Sequence, residues 1–330
     1  MFLVFVAACS PTTSPRDATA APVAPPVGEG RSPREAHIVE PQAPPGMFPR
    51  TVHDSSGDVV IPSKPMRIHT LSVGLDEITL ELVDLSRVVA VGTVTANPDY
   101  SNVSDLAAQV SLKVGRDAEQ ILSAAPDLVV ASPFADQNLV QQLRNAHVPI
   151  VVADLVSSAD GQADNVRFLA YLYGEEARGE AVAQDIEARI ARLRSVTAKH
   201  PHDQWPRAIV LSGGHPLSTA GSGTTEDGVL TLAGLRNAAA EAGVLGNRDI
   251  SLEALPEMQP DIVIVTEPNP EQPVLMPTLS ALPVVGDLTA LQQKHVIPIK
   301  SSLLTTLSQW NLAGAEELNR AIYPGELPAS

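Results

Sequence analysis

The chain has 330 residues, 44% of them apolar, so a sizeable core and two lobes are possible. Its formal charge of −16 and its 3% of aromatic residues argue against phosphate neutralisation and base stacking, the usual bases of nucleic-acid binding. A single cysteine, Cys9, excludes an intramolecular disulfide and a metal site built from several cysteines.

The first nine residues are apolar and end in small side chains followed by Cys9. The run Val6-Ala7-Ala8-Cys9 resembles a bacterial lipobox, which implies a signal remnant over residues 1–9 and a lipid on Cys9. A secretory signal also has a basic segment and a longer apolar stretch, so we expect the true start to lie upstream. The alternative is a chance apolar start with a buried, inert Cys9.

Residues 10–48 are rich in Pro, Ala, Ser and Thr and hold few large apolar side chains. Such a segment buries too little apolar surface to offset its chain entropy, and its prolines favour extended backbone. We therefore predict a disordered, semi-stiff tether. Beyond residue 10 no apolar run in the sequence is long enough to span a membrane. A lipid on Cys9 and this tether would hold the folded part outside the cytoplasm, beside the cell membrane.

Short apolar strands alternate with helical patterns over residues 49–158. The apolar spacing predicts a hairpin over 51–62, strands over 67–72, 88–92, 128–132 and 149–154, and helices over 74–85, 118–124 and 137–146. Residues 93–112 are predicted to be a link rich in loops. Because the strands are continuously apolar and helices separate them, we expect a parallel sheet covered on both faces.

Residues 159–203 interrupt this alternation with helical patterns over 162–173 and 175–199. The alternation then resumes over residues 204–330, with strands over 208–212, 261–266 and 296–299 and helices over 225–235 and 308–322. The sequence therefore predicts two α/β lobes, over 49–158 and 204–330, joined by a helical segment.

The two lobes share an internal repeat. In the first lobe, Glu119 is followed by Pro126-Asp127, four apolar residues and a hydroxyl residue. In the second lobe, Glu253 is followed in the same way by Pro260-Asp261, and each position lies 134 residues after its counterpart. Each copy is a short helix feeding a buried strand, with Pro-Asp in the turn. The fixed spacing favours a pseudo-twofold pair over chance likeness of two helix-turn-strand units.

Four segments resemble the class III periplasmic binding proteins, the substrate-binding proteins of ABC importers for iron–siderophores, haem and cobalamin. They cover residues 67–78, 87–92, 119–130, and 216–221 with 232–237. The resemblance implies two α/β lobes joined by a single long bridging helix, for which residues 166–196 are the candidate. It places the ligand in the cleft between the lobes. It also implies that Glu119 and Glu253 dock on basic residues of a permease dimer, which works with an ATPase.

Ligands of open α/β sheets lie beyond the carboxyl ends of the strands, and this rule selects the candidate ligand-binding residues. They are Ser72, Val73, Gly74, Tyr100, Ser132 and Phe134 in the first lobe, and His215, Thr266 and Trp310 in the second. Tyr100 can bind haem iron or stack on a ligand, and His215 can ligate a metal or donate a hydrogen bond. The alternatives are a surface tyrosine, an uninvolved loop histidine and, for Trp310, a core residue.

No catalytic motif is present in the sequence: it contains no G-x-S-x-G, no H-E-x-x-H and no P-loop. We therefore expect a binding protein that is not an enzyme, has no cofactor or resident metal, and binds no nucleic acid. The resemblance implies capture of an iron–siderophore or a related iron or cobalt chelate. The scarcity of aromatic residues in the candidate loops favours an iron–siderophore over haem or cobalamin.

Two other functions remain open at this point. One is a receptor for a bare Zn or Mn ion in a similar two-lobe fold, which would need several histidines and carboxylates converging on the cleft. The other is a lipid-anchored adhesion or scaffold protein, against which the two-lobe pattern argues.

Overall fold

The structure is a computed structural model, and it describes residues 44–158, 161–213, 216–280 and 288–328. The predicted lipidation site, Cys9, and most of the predicted tether lie outside these residues. Across these ranges, no helix combines the length and the apolar character that crossing a bilayer requires.

The first lobe is a small parallel sheet flanked by helices. Its strands are β1 (Arg50–Asp54), β2 (Gly57–Ile61), β3 (Ile68–Thr70), β4 (Val91–Gly92), β5 (Lys113–Val114), β6 (Leu128–Ala131) and β7 (Ile150–Val152), and its helices are α1 (Val73–Leu82), α2 (Ser104–Gln109), α3 (Ala118–Ser123) and α4 (Gln137–Asn145). The sheet has the parallel order β3-β6-β7, and the parallel pair β4-β5 joins it through a bridge between Ile68 and Val88. The antiparallel hairpin β1-β2 is attached by the Val152 amide, which donates to Asp54 at 2.8 Å.

Residues 93–112, predicted to be a link rich in loops, also contain the short helix α2. Val103, Ala107 and Val110 are all buried, and their spacing places them on one face of this short helix. A single helical turn on each side of Ala107 gives too short an apolar pattern to stand out in the sequence.

Two helices follow the first lobe, α5 (Gln162–Tyr173) and α6 (Glu176–Thr197), so a single bridging helix over residues 166–196 is not confirmed. Gly174 ends α5 in the left-handed region, with φ of 69°, where a side chain would be strained. The chain then turns back and α6 packs along α5. A Cβ atom added to Gly179 would lie 2.2 Å from the Cβ atom of Ala170, so glycine is what permits this close approach.

Two buried arginines of the first lobe hold the turn between α5 and α6. Arg87 donates to the Tyr173 carbonyl at 2.8 Å and pairs with Glu175 at 2.5 Å. Arg50 is also buried and pairs with Glu176. The start of α6 is therefore fixed to the first lobe by charge-assisted hydrogen bonds.

The second lobe is built on a larger, mixed sheet. Its strands are β8 (Arg207–Gly213), β9 (Leu217–Ala220), β10 (Arg236–Asn237), β11 (Asn247–Asp249), β12 (Ile262–Glu267) and β13 (Val296–Lys300), and its helices are α7 (Thr225–Ala233), α8 (Ala238–Glu241), α9 (Leu255–Met258), α10 (Leu275–Ser280), α11 (Thr289–Gln292), α12 (Ser302–Thr305) and α13 (Asn311–Ile322). The strand order is β11-β9-β8-β12-β13, with β10 paired to β8. The far end of α6 lies against this lobe, where Arg189 donates to Glu316 of α13 at 2.9 Å.

The sheet of the second lobe is partly antiparallel, unlike the parallel sheet predicted and found in the first lobe. Strand β9 runs antiparallel to β8, and β11 runs antiparallel to β9. Only residues 214–216 separate β8 from β9, which is too short for the crossover that parallel neighbours need. Because this pairing returns the chain twice, β11 runs in the same direction as β8 and β12.

The sequence repeat has a structural counterpart in the turns before β6 and β12. Asp127 accepts the Arg67 amide at 2.9 Å, and Asp261 accepts the Arg207 amide at 2.8 Å. Two residues before each aspartate, the backbone is left-handed, with φ of 46° at residue 125 and 45° at residue 259. The guanidinium of each arginine donates to the carbonyl of that strained residue, at 2.7 Å and 3.1 Å. The Pro-Asp repeat therefore marks the same helix-to-strand turn in each lobe.

One apolar core runs through both lobes and the helices between them. It includes Ile78 of α1, Phe168 of α5, Leu193 of α6 and Leu312 of α13, all essentially inaccessible to solvent. Burial of a large apolar side chain stabilises a fold by about 1.5–3 kcal/mol. The lobes are therefore tied by shared packing as well as by chain connection.

Candidate functional site

A cleft of about 340 Å³ lies at the carboxyl ends of the first-lobe strands and is closed on one side by the second lobe. First-lobe segments 72–75, 132–134 and 153–155 follow β3, β6 and β7, and Val94 and Tyr100 follow β4. Residues 305–307 of the second lobe form the remaining wall. The parallel sheet produces this arrangement because the ends of its strands, and the loops that follow them, meet at one edge.

The six predicted ligand-binding residues of the first lobe all line this cleft: Ser72, Val73, Gly74, Tyr100, Ser132 and Phe134. The structure thus brings them together, although their contact with a ligand stays a prediction. The lining residues Leu75 and Val94 and two segments of the wall, residues 153–155 and 305–307, were missed. Residues 153–155 directly follow β7, so the rule that selected the other loops would have found them if it had been applied to every predicted strand, whereas residues 305–307 are reached from β13 only through the helix α12.

Of the three predicted residues of the second lobe, Thr266 and Trp310 do not line the cleft. His215 lies outside the described residues. Thr266 is buried in β12, where its hydroxyl donates to Ser212 Oγ at 2.8 Å. Trp310 is half-buried against the main core, and its amide donates to Ser308 Oγ at 3.3 Å. For Thr266 and Trp310 these contacts give a structural role, and a ligand role stays untested.

Glu267, next to Thr266, has its carboxylate committed to the backbone. Its side chain is fully buried and accepts the amides of Val274, Leu275 and Met276 at 2.9, 3.1 and 2.7 Å. These amides belong to the first turn of α10, where a carboxylate satisfies otherwise unpaired donors and opposes the helix dipole. The strand end at 266–267 therefore supports the loop that follows it.

The mouth of the cleft is apolar and exposed. Phe134 is 81% exposed, Tyr100 56% and Val94 49%, and each lines the cleft. Large exposed apolar side chains that cluster around a concavity mark a surface that binds something. Two of the chain's few aromatic side chains are concentrated here, and the preference for an iron–siderophore over haem or cobalamin, which the scarcity of aromatics in the candidate loops suggested, stays a prediction.

A buried carboxylate lies directly beneath the cleft. Asp76 of α1 is 2% exposed and accepts hydrogen bonds from the hydroxyls of Thr70 and Thr95 and from the Gly92 amide at 3.1 Å. Burial, and to a smaller extent the neighbouring Glu77 charge, raise the pKa of Asp76 to about 6. The hydrogen bonds to the carboxylate act in the opposite direction and lower the pKa. The ends of β3 and β4 are thus joined through a carboxyl group that titrates near pH 6.

Asp76→Asn is expected to change how stability depends on pH. Because the folded-state pKa is raised, the contribution of Asp76 is full below its ordinary pKa of 3.8 and is lost as pH rises through about 6. The difference between 3.8 and about 6 corresponds to about 3 kcal/mol. Urea unfolding at pH 4 to 7 should therefore show the wild type losing up to about 3 kcal/mol relative to Asp76→Asn. A difference that stays constant with pH would contradict this.

A larger cavity, of about 610 Å³, lies at the amino ends of β8, β12 and β13. Its walls include Trp205, Arg207 and Arg236, and none of the predicted ligand-binding residues. Arg207 and Arg236 both pair with the one carboxylate of Glu241, at 2.8 and 2.6 Å, so each guanidinium already has an acidic partner there. Since ligands of open α/β sheets bind beyond the carboxyl ends, we take the smaller cleft as the candidate site.

Within the described ranges no group of three or more His, Cys, Asp or Glu side chains is arranged to hold a metal ion. His69 is buried in β3 with Nδ1 3.0 Å from the Ala90 carbonyl, and its burial lowers the pKa of the imidazole. The receptor for a bare Zn or Mn ion is therefore not favoured by these residues.

Glu119 and Glu253 are both exposed and occupy equivalent places in the two lobes. Glu119 lies in the first turn of α3, and Glu253 lies in the 3₁₀ turn that leads into α9. Each helix connects two strands that run in the same direction, β5 to β6 and β11 to β12. Such a helix runs back across its sheet, so its first residues lie at the carboxyl edge, on the side of the cleft.

Comparison with known proteins agrees with this geometry. A family model described as periplasmic binding protein matches residues 68–303, which is more than half of the chain. The chain belongs to the periplasmic binding protein family. The resemblance predicted from four short segments is thereby confirmed.

Individual relatives of this binding protein are distant but cover most of it. The iron-uptake system-binding protein of Bacillus subtilis is 24% identical over 251 residues, 74% of this chain and 76% of the relative. The vitamin B12-binding protein of Salmonella choleraesuis is 28% identical over 194 residues, 58% of this chain and 71% of the relative. A periplasmic heme-binding protein from Roseiflexus sp. RS-1 superposes with a TM-score of 0.69 at 27% identity, covering 79% of this chain and 98% of that one. These likenesses confirm the predicted class of fold, two α/β lobes.

Proposed function

We propose that this protein is the extracytoplasmic substrate-binding component of an ABC importer that captures a chelate of iron or cobalt. The observation that carries the proposal is the cleft between two lobes at the carboxyl ends of the first-lobe strands, in a chain of the periplasmic binding protein family. The relatives are named for iron uptake, vitamin B12 and heme. Membership of this family supports binding rather than catalysis, and a location outside the cytoplasm.

The exposed side chains at the mouth of the cleft narrow the ligand class. Phe134, Tyr100 and Val94 offer apolar and aromatic surface, and Asp154 is the only charged residue among the described lining residues, so a chelate with a broad apolar or aromatic face fits better than a bare ion. An aromatic iron–siderophore, haem and a cobalamin all meet this description. The hydroxyl of Tyr100 adds a possible ligand for an open iron position.

Capture is followed by delivery to a permease dimer with its ATPase, on which Glu119 and Glu253 dock. Support comes from their exposure and from their matched positions at the cleft side of the two lobes. Two equivalent carboxylates suit a partner of two similar subunits, each offering a basic patch. We call the ion pairs of Arg87 with Glu175 and of Arg50 with Glu176 the clamp, because they hold the start of α6 to the first lobe. The clamp and the apolar core shared by the lobes favour a small closure over a wide hinge movement.

A lipid on Cys9, followed by the Pro-rich segment, would hold the protein at the membrane. The support for this anchor is the Val6-Ala7-Ala8-Cys9 run and the composition of the segment after it. Mass spectrometry of the exported protein should find Cys9 modified by a diacylglycerol, and an unmodified Cys9 would refute the anchor.

A ligand screen tests the proposed function. The full chain is mixed with ferric siderophores, haemin, cobalamin, Zn²⁺ and Mn²⁺, and its melting temperature and tryptophan fluorescence are recorded. A ligand that binds only the folded state raises the free energy of unfolding, by about 2.7 kcal/mol at a concentration of one hundred times Kd. The melting temperature rises with it. We expect a rise with at least one chelate and none with the bare ions. A rise with the bare ions alone would overturn the proposal.

A matched pair of variants locates the binding site. Phe134→Ser removes an exposed side chain from the cleft and should weaken chelate binding about tenfold or more, which corresponds to about 1.4 kcal/mol. Met66→Ser removes a similar apolar side chain, 55% exposed, from the opposite ends of the first-lobe strands, and should leave affinity unchanged. Equal effects of the two variants would place the ligand elsewhere.

A further inference from the structure

Glu77 of α1 is fully buried, and its carboxylate accepts hydrogen bonds from both lobes. On the first-lobe side, Oε1 accepts the backbone amide of Asn102 at 2.8 Å and its side-chain amide at 2.9 Å. On the second-lobe side, Oε2 accepts the hydroxyls of Thr306 at 2.5 Å and Ser308 at 2.6 Å. A carboxylate has about four acceptor sites, so this one is saturated by neutral donors from two lobes.

The two segments that Glu77 joins are opposite walls of the cleft. Asn102 lies two residues after Tyr100, which lines the cleft on the first-lobe side, and Thr306 lines it on the second-lobe side. The walls also touch directly, because a Cβ atom on Gly74 would lie 3.0 Å from the Leu307 carbonyl oxygen. The Glu77 carboxylate thus lies where the cleft ends and the lobes meet.

Further hydrogen bonds reinforce the same junction. Asn102 donates to the Ser302 carbonyl at 3.0 Å and accepts the Ser302 hydroxyl at 2.8 Å. Lys300 donates to the Ser101 carbonyl at 3.0 Å. The bonds that Glu77 accepts involve a buried carboxylate, so they are stronger than the neutral bonds between Asn102 and Ser302. Parting the lobes here breaks the bonds from Thr306 and Ser308 to Glu77.

We propose that Glu77 is a positioning residue that locks the two lobes together at the base of the cleft and sets the distance between its walls. It acts through Asn102 on the Tyr100 loop and through Thr306 and Ser308 on the second-lobe wall. Opening of the cleft exchanges these bonds for bonds to water. The lock itself is a property of the ligand-free protein, and its use in holding a ligand rests on the proposed function.

Hydrogen–deuterium exchange of the full, ligand-free chain tests the lock. The variant Thr306→Val with Ser308→Ala removes the second-lobe donors only, and Glu77→Gln removes the charge while keeping the shape. In both, the Asn102 amide, which belongs to the other lobe, should exchange about tenfold faster or more. The amide of Val129 in β6, which donates to the Pro149 carbonyl at 2.9 Å, should keep its wild-type protection.

Thr231→Val is the matched control, because the hydroxyl of Thr231 donates within its own lobe, to the Asp227 carbonyl at 3.0 Å, and this variant should not affect Asn102. In the variant Thr306→Val with Ser308→Ala, amide exchange could become faster in the second lobe alone. That result would overturn the proposal, because it would show that Glu77 does not couple the lobes. If the double variant fails to fold, Ser308→Ala alone decides in the same way. If no chelate binds in the ligand screen, the exchange result still stands, so failure of the lock and failure of the proposed function are distinguishable.

Discussion

Replacing both Glu119 and Glu253 with lysine is expected to abolish uptake of the chelate in cells while leaving its affinity for the isolated protein unchanged. The two side chains are exposed, and neither lines the cleft, so their loss should not disturb ligand contacts. The introduced lysines would repel the basic patches of the permease, whereas the glutamates attract these patches and orient the encounter. Uptake of radiolabelled ligand by cells and titration of the purified variant measure the two quantities separately.

A second double variant controls for the change in net charge. Glu81→Lys with Glu257→Lys alters the charge by the same amount at two other exposed positions, one in the last turn of α1 and one in the four-residue helix α9. We expect nearly normal uptake from it. Loss of ligand affinity in Glu119→Lys with Glu253→Lys would contradict the docking assignment, and so would equal loss of uptake in the two double variants.

Arg87→Ala is expected to destabilise the fold by about 3–5 kcal/mol, the range for breaking a buried ion pair by removing one partner. Arg87 is buried and donates to the Pro65 carbonyl at 2.6 and 2.9 Å and to the Tyr173 carbonyl at 2.8 Å, and it pairs with Glu175 at 2.5 Å. Its removal leaves two carbonyls and a carboxylate without these donors. It also releases the turn between α5 and α6 from the first lobe, so unfolding by urea or heat should occur much earlier.

Lys64→Ala is the matched control, because Lys64 binds the same carboxylate of Glu175 at 2.7 Å but is 43% exposed. An exposed pair of this kind contributes less than about 1 kcal/mol. We therefore expect a small loss of stability from Lys64→Ala and a large one from Arg87→Ala. Similar losses would show that burial of the arginine does not determine the strength of the clamp.

The class of fold could be predicted from local patterns. The continuously apolar segments around residues 128–132 and 261–266 became β6 and β12, because a strand covered on both faces needs apolar residues at every position. The repeat of Glu, Pro-Asp and a strand was also visible, because the turn before each strand has the same backbone conformation, with a left-handed residue before proline. The aspartates accept the backbone amides of Arg67 and Arg207, which lie 60 and 54 residues earlier in the chain, and the repeat alone does not identify these partners.

The connection between the lobes could not be settled in the same way. The helical pattern is nearly continuous from residue 162 to 199, with glycines only at residues 174 and 179. Whether such a glycine ends a helix or is accommodated within one depends on what the helix packs against. Here the close contact of Gly179 with Ala170, and the buried Arg50 and Arg87, stabilise the turned-back arrangement.

The sequence by itself determined the two α/β lobes, the repeat that relates them, and most of the loops that surround the cleft, because strand ends in a parallel sheet meet at one edge. Only the tertiary structure decided which side chains gather there. Phe134, Tyr100 and Val94 come from different loops, and their common exposure depends on how those loops pack. It alone revealed Asp76 and Glu77 as buried, since the six residues that donate hydrogen bonds to their carboxylates lie between 6 and 231 residues away along the chain. Contacts across such separations leave no local pattern to read.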